Sequence, residues 1–257
     1  MTSPPAEALG RGRPRWLPWV ALGVILALSL GLRLYRIDSQ SIWYDEGWSI
    51  HLAQEPLLAV LRQIASPGHT HPPGYYLLLM AWVRVFGSGI LAVRGLSALL
   101  GVASVGAIFA LGEALFDRET GLIAALLLAL APAHIVYSQE VRMYALLFLC
   151  LALWLRRAYI QGSDRGSWDV RGWLAFSLLE IAAIYTHLYA FFVVLGVSGW
   201  LLCGLLRQGA GGDWRGLWQW AASQAVVFIA FAPWLLLTGR GVLAHTAQGA
   251  IPAPLPA

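Results

Sequence analysis

The chain has 257 residues, 59% of them hydrophobic and only 12% charged, with a net charge of +4. A soluble domain carries about 25% charged residues. A mean hydropathy of +0.67 and thirteen tryptophans leave more apolar surface than one soluble domain can hide, so the composition indicates an integral membrane protein. The seventeen basic residues, all arginine, are spread between apolar runs and not gathered on one face, which excludes a nucleic-acid partner.

Arg11, Arg13 and Arg15 precede the first apolar run, 16–34. The run is long and no A-x-A cleavage site precedes the polar segment after it, so it reads as an uncleaved anchor. A helix needs roughly 20 apolar residues to cross the hydrocarbon layer. The further candidates are 94–115, 119–136, 144–160, 173–187, 189–206 and 217–238. Arg156 and Arg157 would snorkel to the interface. The shorter run 74–87 is either a span or a helix lying in the interface. Cytoplasmic loops carry the excess of arginine, and this decides between them. If 74–87 crosses, Arg156, Arg157, Arg165, Arg171, Arg207 and Arg215 all fall outside. If it lies along the outer interface, all six face the cytoplasm.

The expected architecture is an all-α polytopic transmembrane bundle of about seven spans in the cell membrane. Its N-terminus is cytoplasmic, and a long outer first loop (35–93) carries an interfacial helix. Residues 1–238 form the membrane core. The Pro-rich tail 239–257 is not expected to be helical. Cys150 and Cys203 sit inside apolar runs and read as buried thiols, with no disulfide or zinc pattern.

In this topology the chemistry-bearing residues fall on the outer face. Asp45 and Glu46 follow Trp43 and Tyr44. A carboxylate there can deprotonate an acceptor or ligate a divalent cation; the alternative is a solvated acidic pair. His69-Thr70-His71-Pro72-Pro73 places two histidines before a rigid Pro-Pro, either as substrate or metal contacts or as a polar turn into a helix. Arg94 opens the helix 94–115, near a phosphate or snorkelling to headgroups. In Ser138-Gln139-Glu140-Val141-Arg142-Met143-Tyr144, Arg142 has the fork geometry to hold a lipid phosphate, and Glu140 could orient it or bind a metal. The alternative is a self-satisfied Glu–Arg turn. His187, in Thr186-His187-Leu188, is a candidate acid–base group or hydrogen-bond donor to a phosphate, or a hydrogen-bonded core histidine. No G-x-x-x-x-G-K-[ST] or G-x-G-x-x-G loop is present, so an activated donor would be membrane-borne.

The order Trp43-Tyr44-Asp45-Glu46, His71-Pro72-Pro73, Arg94-Gly95-Leu96-Ser97-Ala98, Ser138 to Tyr144, then Thr186-His187 resembles the C-type membrane glycosyltransferases. It is most similar to their protein mannosyltransferase and aminoarabinose transferase-like branch, over residues 16–206. The resemblance implies transfer of a hexosyl or pentosyl group from a polyprenyl-phosphate carrier to an acceptor (protein, lipid or glycan) on the extracytoplasmic face. It implies Asp45 as catalytic base or metal ligand, with Glu46 beside it, and Arg94 near the carrier phosphate. His71, Glu140, Arg142, Tyr144 and His187 complete the expected substrate and phosphate site. A divalent ion, with Asp45, Glu46 and Glu140 as candidate ligands, is the one cofactor suggested. Family members are longer, so the tail is read as the place where a C-terminal part is missing. The rival readings are a transporter or lipid-translocating protein, and a non-catalytic relative. Charges gathered at one membrane face, and not at the midplane, favour the transferase.

Overall fold

The computed structural model describes residues 14–64, 66, 71–163 and 170–247. Arg11, Arg13, His69, Arg165 and the prolines of the tail lie outside these residues, as do the side chains of 240–247.

The described residues form eleven helices and no strand. Five are long and apolar enough to cross a membrane: α1 (Leu17–Leu34), α5 (Ile90–Leu115), α8 (Tyr144–Ser163), α10 (Ala190–Ala210) and α11 (Arg215–Ala247). The other two expected spans are helical but shorter. α6 (Arg118–Leu130) gives way to α7 (Pro132–Tyr137), because Pro132 has no N–H to continue the ladder. α9 (Val170–Thr186) has 17 residues, about 26 Å of helix. The chain is therefore an all-α polytopic bundle.

Three boundaries differ from the sequence reading. The segment between α1 and α5, expected as one outer loop, contains three helices, α2 (Tyr44–Gln54), α3 (Leu57–Ile64) and α4 (Gly74–Phe86). Asp45 and Glu46 thus lie in the first turn of α2, where the helix dipole favours acids, and not in a loop. Arg94 does not open its helix; α5 starts at Ile90 after Gly89, which places Arg94 in the second turn. Residues 239–247 are helical, because α11 passes through Pro233 and runs to Ala247.

α4 is 13 residues long, about 20 Å, too short for the roughly 30 Å hydrocarbon layer. It packs on α2, α5 and α9 with Tyr75, Tyr76, Leu79 and Met80 buried. Gly74 makes the close approach to α9: a Cβ there would lie 2.6 Å from the Tyr185 carbonyl oxygen.

α5 is the central helix, in contact with α1, α4, α6 and α8. Its buried face carries small residues, Ala98, Gly101, Ser104, Ala107 and Gly112. Small side chains let helix backbones approach closely where lipid supplies no hydrophobic drive between helices. A Cβ on Gly112 would meet the Gly121 Cα of α6 at 2.8 Å. Large apolar side chains such as Val24, Leu28, Ile123, Leu127, Phe192, Phe228 and Ile229 are exposed on the outside, as lipid-facing surfaces require. Some polar residues inside the bundle are paired between helices, which lowers the penalty of burying them in an apolar setting. Ser177 of α9 lies 2.8 Å from Ser223 of α11, and Glu180 of α9 accepts from Trp154 of α8 (3.3 Å) and Gln224 of α11 (3.1 Å).

The up-and-down order brings the C-terminal ends of α1, α7 and α9 and the N-terminal ends of α2, α4, α5, α8 and α10 to one end of the bundle, linked by the contacts described next.

Candidate active site

The six residues 138–143 connect α7 to α8. The Ser138 hydroxyl accepts from Arg33 Nε at 3.3 Å. Gln139 Nε2 donates to the carbonyls of Arg33 (3.1 Å) and Tyr35 (3.0 Å), the orphan acceptors at the end of α1. The Val141 amide donates to Glu46 Oε1 at 2.9 Å. Arg142 Nη2 lies 3.3 Å from Asp45 Oδ2. The segment is a bracket that ties the end of α1 and the start of α2 to α8.

Glu46 is fully buried and Arg94 nearly so. They form a two-pronged pair, Nε to Oε1 at 3.0 Å and Nη2 to Oε2 at 2.7 Å. Arg94 Nη1 also donates to the carbonyls of Ile37 (2.8 Å) and Gln40 (3.0 Å), and Nη2 to that of Ser41 (3.3 Å). A guanidinium has five N–H donors, and here five protein acceptors meet them. The sequence expectation placed Arg94 at the carrier phosphate. In the structure its fork instead moulds the 37–41 turn, helped by Arg36 in the left-handed region (φ 52°). Glu46 likewise accepts three hydrogen bonds from protein, so both its oxygens are engaged in holding the site in shape.

Asp45 differs. Its side chain is 38% exposed, beside an Arg142 side chain that is 6% exposed. Arg142 Nε, buried, has no hydrogen-bond partner among the described residues. The guanidinium lies over the rings of Trp43 (5.8 Å) and Tyr144 (5.7 Å), contacts that favour a cation on an aromatic face. Asp45 and Arg142 thus present an accessible carboxylate and a partly unsatisfied cation side by side.

His187 stands next in the same cluster. Its ring is 6.2 Å from Tyr144, 5.2 Å from His71 and 4.6 Å from Tyr189. Its Nδ1 accepts from the Tyr189 amide at 3.0 Å, which leaves the proton of the neutral ring on Nε2. Burial, and then the Arg142 charge, lower its pKa, so it is neutral at pH 7. Glu140 Oε2 is buried without a partner among the described residues. Burial first, and then the Glu46 carboxylate, push its pKa up.

All eight residues singled out in the sequence (Asp45, Glu46, His71, Arg94, Glu140, Arg142, Tyr144 and His187) therefore meet at one end of the bundle. For a metal the arrangement is less suited. Among the described residues no three His, Cys, Asp or Glu side chains converge as a metal site, and the Glu46 oxygens are both engaged.

Arg33 was missed. It is fully buried near the end of α1 and has no acidic partner among the described residues. Its Nη1 donates to Ser29 Oγ (2.6 Å) and its Nη2 meets His134 Nδ1 (2.7 Å), while both reach the Ala129 and Leu128 carbonyls (3.4 and 3.5 Å). Those carbonyls end α6, the negative pole of its dipole. The signal was available: an arginine within an apolar run, with serine one turn earlier, marks a costly group that needs a site.

No curated protein matches the chain. Residues 70–237 match the family described as dolichyl-phosphate-mannose-protein mannosyltransferase, a span that contains the bracket, Arg94 and His187 but not Asp45 and Glu46. The chain belongs to that family and is a membrane glycosyltransferase of the C type.

Proposed function

We propose that the protein moves a sugar from a polyprenyl-phosphate carrier to an acceptor on the extracytoplasmic face, with Asp45 as the base and Arg142 as the phosphate clamp. The reading rests on one observation above all: an accessible carboxylate touches a buried cation with a donor to spare. In the transfer, the acceptor hydroxyl or amine gives its proton to Asp45 as its heteroatom bonds to the anomeric carbon. The bond from that carbon to the phosphate oxygen breaks, and its electron pair leaves with the prenyl phosphate. Negative charge grows on the phosphate, where a fixed guanidinium is most effective. Glu46 and Arg94 position Asp45 through the first turn of α2 and Arg142 through the Val141 amide. His187, neutral and with Nε2–H available, donates a hydrogen bond toward the phosphate or sugar. Tyr144 orients the Arg142 plane, while His71 orients His187. The apolar spans hold the prenyl chain. A divalent ion would have to take most of its ligands from water and phosphate, and no step is assigned to it.

Asp45→Asn separates binding from chemistry. In lipid nanodiscs, with radiolabelled prenyl-phosphate sugar, this variant is expected to retain carrier binding while transfer falls below about 1% of wild type, within the range attributed to removal of a general base. Turnover close to wild type ends the assignment.

A further inference from the structure

Beside the Asp45–Arg142 pair runs a shallow groove of about 380 Å³, lined by Ile42, Trp43, Tyr44, Gly47, Trp48 and His51. Tyr44, Gly47, Trp48 and His51 follow the i, i+3, i+4, i+7 pattern of one helix face. The opposite face of α2, with Glu46, Ser49, Leu52 and Ala53, is buried. The groove face is left open: Tyr44 is 82% and Trp43 46% exposed. From Tyr44 to His51 it extends about 10 Å at the usual helical rise.

Three features decide what fits there. Its floor is aromatic, with the Trp48 and His51 rings 6.0 Å apart. Polar groups flank it: Asp45 is the next residue after Tyr44 and lies 3.3 Å from Arg142, and beyond the far end His51 Nδ1 lies 3.9 Å from Glu55 Oε1, both exposed. It joins the reaction centre directly, because Trp43 lines the groove and also carries the Arg142 guanidinium on its ring. An acyl chain is not matched by carboxylates flanking its channel. A pyranose ring is, with a C–H face for the rings and a rim of hydroxyls for the acids and imidazole. Gly47 supplies the floor: a Cβ there would meet only Ile42 Cγ2, at 3.8 Å, so the space above α2 at this point is open.

We propose that this groove is the acceptor subsite and that the acceptor is a carbohydrate, a glycan whose terminal ring lies on Trp43 and Tyr44 with a hydroxyl at Asp45. The assignment of the groove as the acceptor side rests on the transferase reading above. In the reaction the glycan hydroxyl bonds to the donor's anomeric carbon, its proton passes to the Asp45 carboxylate, and the prenyl phosphate leaves with the electron pair.

The test is saturation-transfer NMR on the full chain in nanodiscs, with mannotriose, maltotriose and chitotriose as probes, alongside direct binding of radiolabelled prenyl-phosphate mannose. Irradiation of the aromatic resonances is expected to saturate the C–H protons of at least one trisaccharide. Tyr44→Ala and Gly47→Leu, both at open positions, should cut that signal at least tenfold and leave carrier binding within twofold. Absence of saturation for all three sugars, or a signal unchanged in both variants, overturns the proposal. So does a serine- or threonine-containing peptide that takes saturation at these rings where the sugars do not. If sugar binding is present and mutable but wild type fails to bind prenyl-phosphate mannose, the donor assignment fails and the carbohydrate groove stands.

Discussion

Replacing Arg94 by methionine tests whether this arginine is a strut or a phosphate ligand. The substitution keeps most of the side-chain length but removes five donors. It leaves the fully buried Glu46 carboxylate with only the Val141 amide, and frees the carbonyls of Ile37, Gln40 and Ser41. Removing one member of a buried ion pair costs about 3–5 kcal/mol. At about 1.4 kcal/mol per tenfold, local opening of the 37–46 segment becomes roughly 10²- to 10³-fold more frequent. Every acceptor of Arg94 lies in that segment, so the damage should be local. Amide hydrogen exchange followed by mass spectrometry should show lost protection in 37–48, with peptides from α8 and α10 unchanged. Arg94→Met,Glu46→Leu together should recover part of the loss, since the stranded charge is then gone. If the single variant kept its exchange pattern in 37–48 and instead lost affinity for prenyl phosphate, Arg94 would be a carrier ligand and the strut assignment would be refuted.

Arg142→Lys keeps the charge and removes the fork, so prenyl-phosphate affinity should fall about 10- to 100-fold, the range for one charge-assisted hydrogen bond, in the same binding assay. The raised Glu140 pKa means that the folded protein disfavours its ionised form. That penalty is absent at low pH, where folded and unfolded chains are both protonated, and it sets in as pH rises past the ordinary carboxyl value. Glu140→Gln is therefore expected to melt above wild type at pH 7 and level with it at pH 4. On α5, Gly101→Ala should destabilise by about 1–3 kcal/mol, because its Cβ would meet Ser138 and Arg33 Nε. Gly106→Ala, with nothing nearer than Leu26 Cδ2 at 3.9 Å, should stabilise by about 0.5–1 kcal/mol. Both are read from thermal melts in detergent.

The apolar runs were legible because a bilayer admits few solutions: all seven are helical, five of them as single helices long enough to span, while Pro132 splits 119–136 into α6 and α7. The gathering of Asp45, Glu140, Arg142 and His187 was legible for a related reason, since arginine bias in the loops assigned their ends of the helices to one side. The helices of the outer segment were not. α2 mixes Tyr, Asp, Glu, Gly, Trp and His without an apolar stripe, so its periodicity carries no signal, and α3 has only eight residues. Arg94 and Arg142 could not be ranked from sequence, because what separates them is where other groups point. The 37–41 carbonyls converge on Arg94 only after the chain turns at Arg36, and those contacts span more than fifty positions. Arg33 was lost inside a run counted as apolar. Its requirement is met by carbonyls 95 and 96 positions away, which no local pattern announces.

The bracket also imposes an order in time. Glu46 takes two hydrogen bonds from a residue 48 positions later and a third from a residue 95 positions later. At roughly 5–20 residues per second of synthesis, the ribosome reaches Arg94 about 2–10 s after Glu46, and Val141 about 5–20 s after it. Throughout that interval the nascent α2 holds its key acid only partly matched. The reaction centre is thus among the last parts of the translated 1–142 segment to assemble, and a chain stalled before Val141 would carry an inserted anchor and no working site.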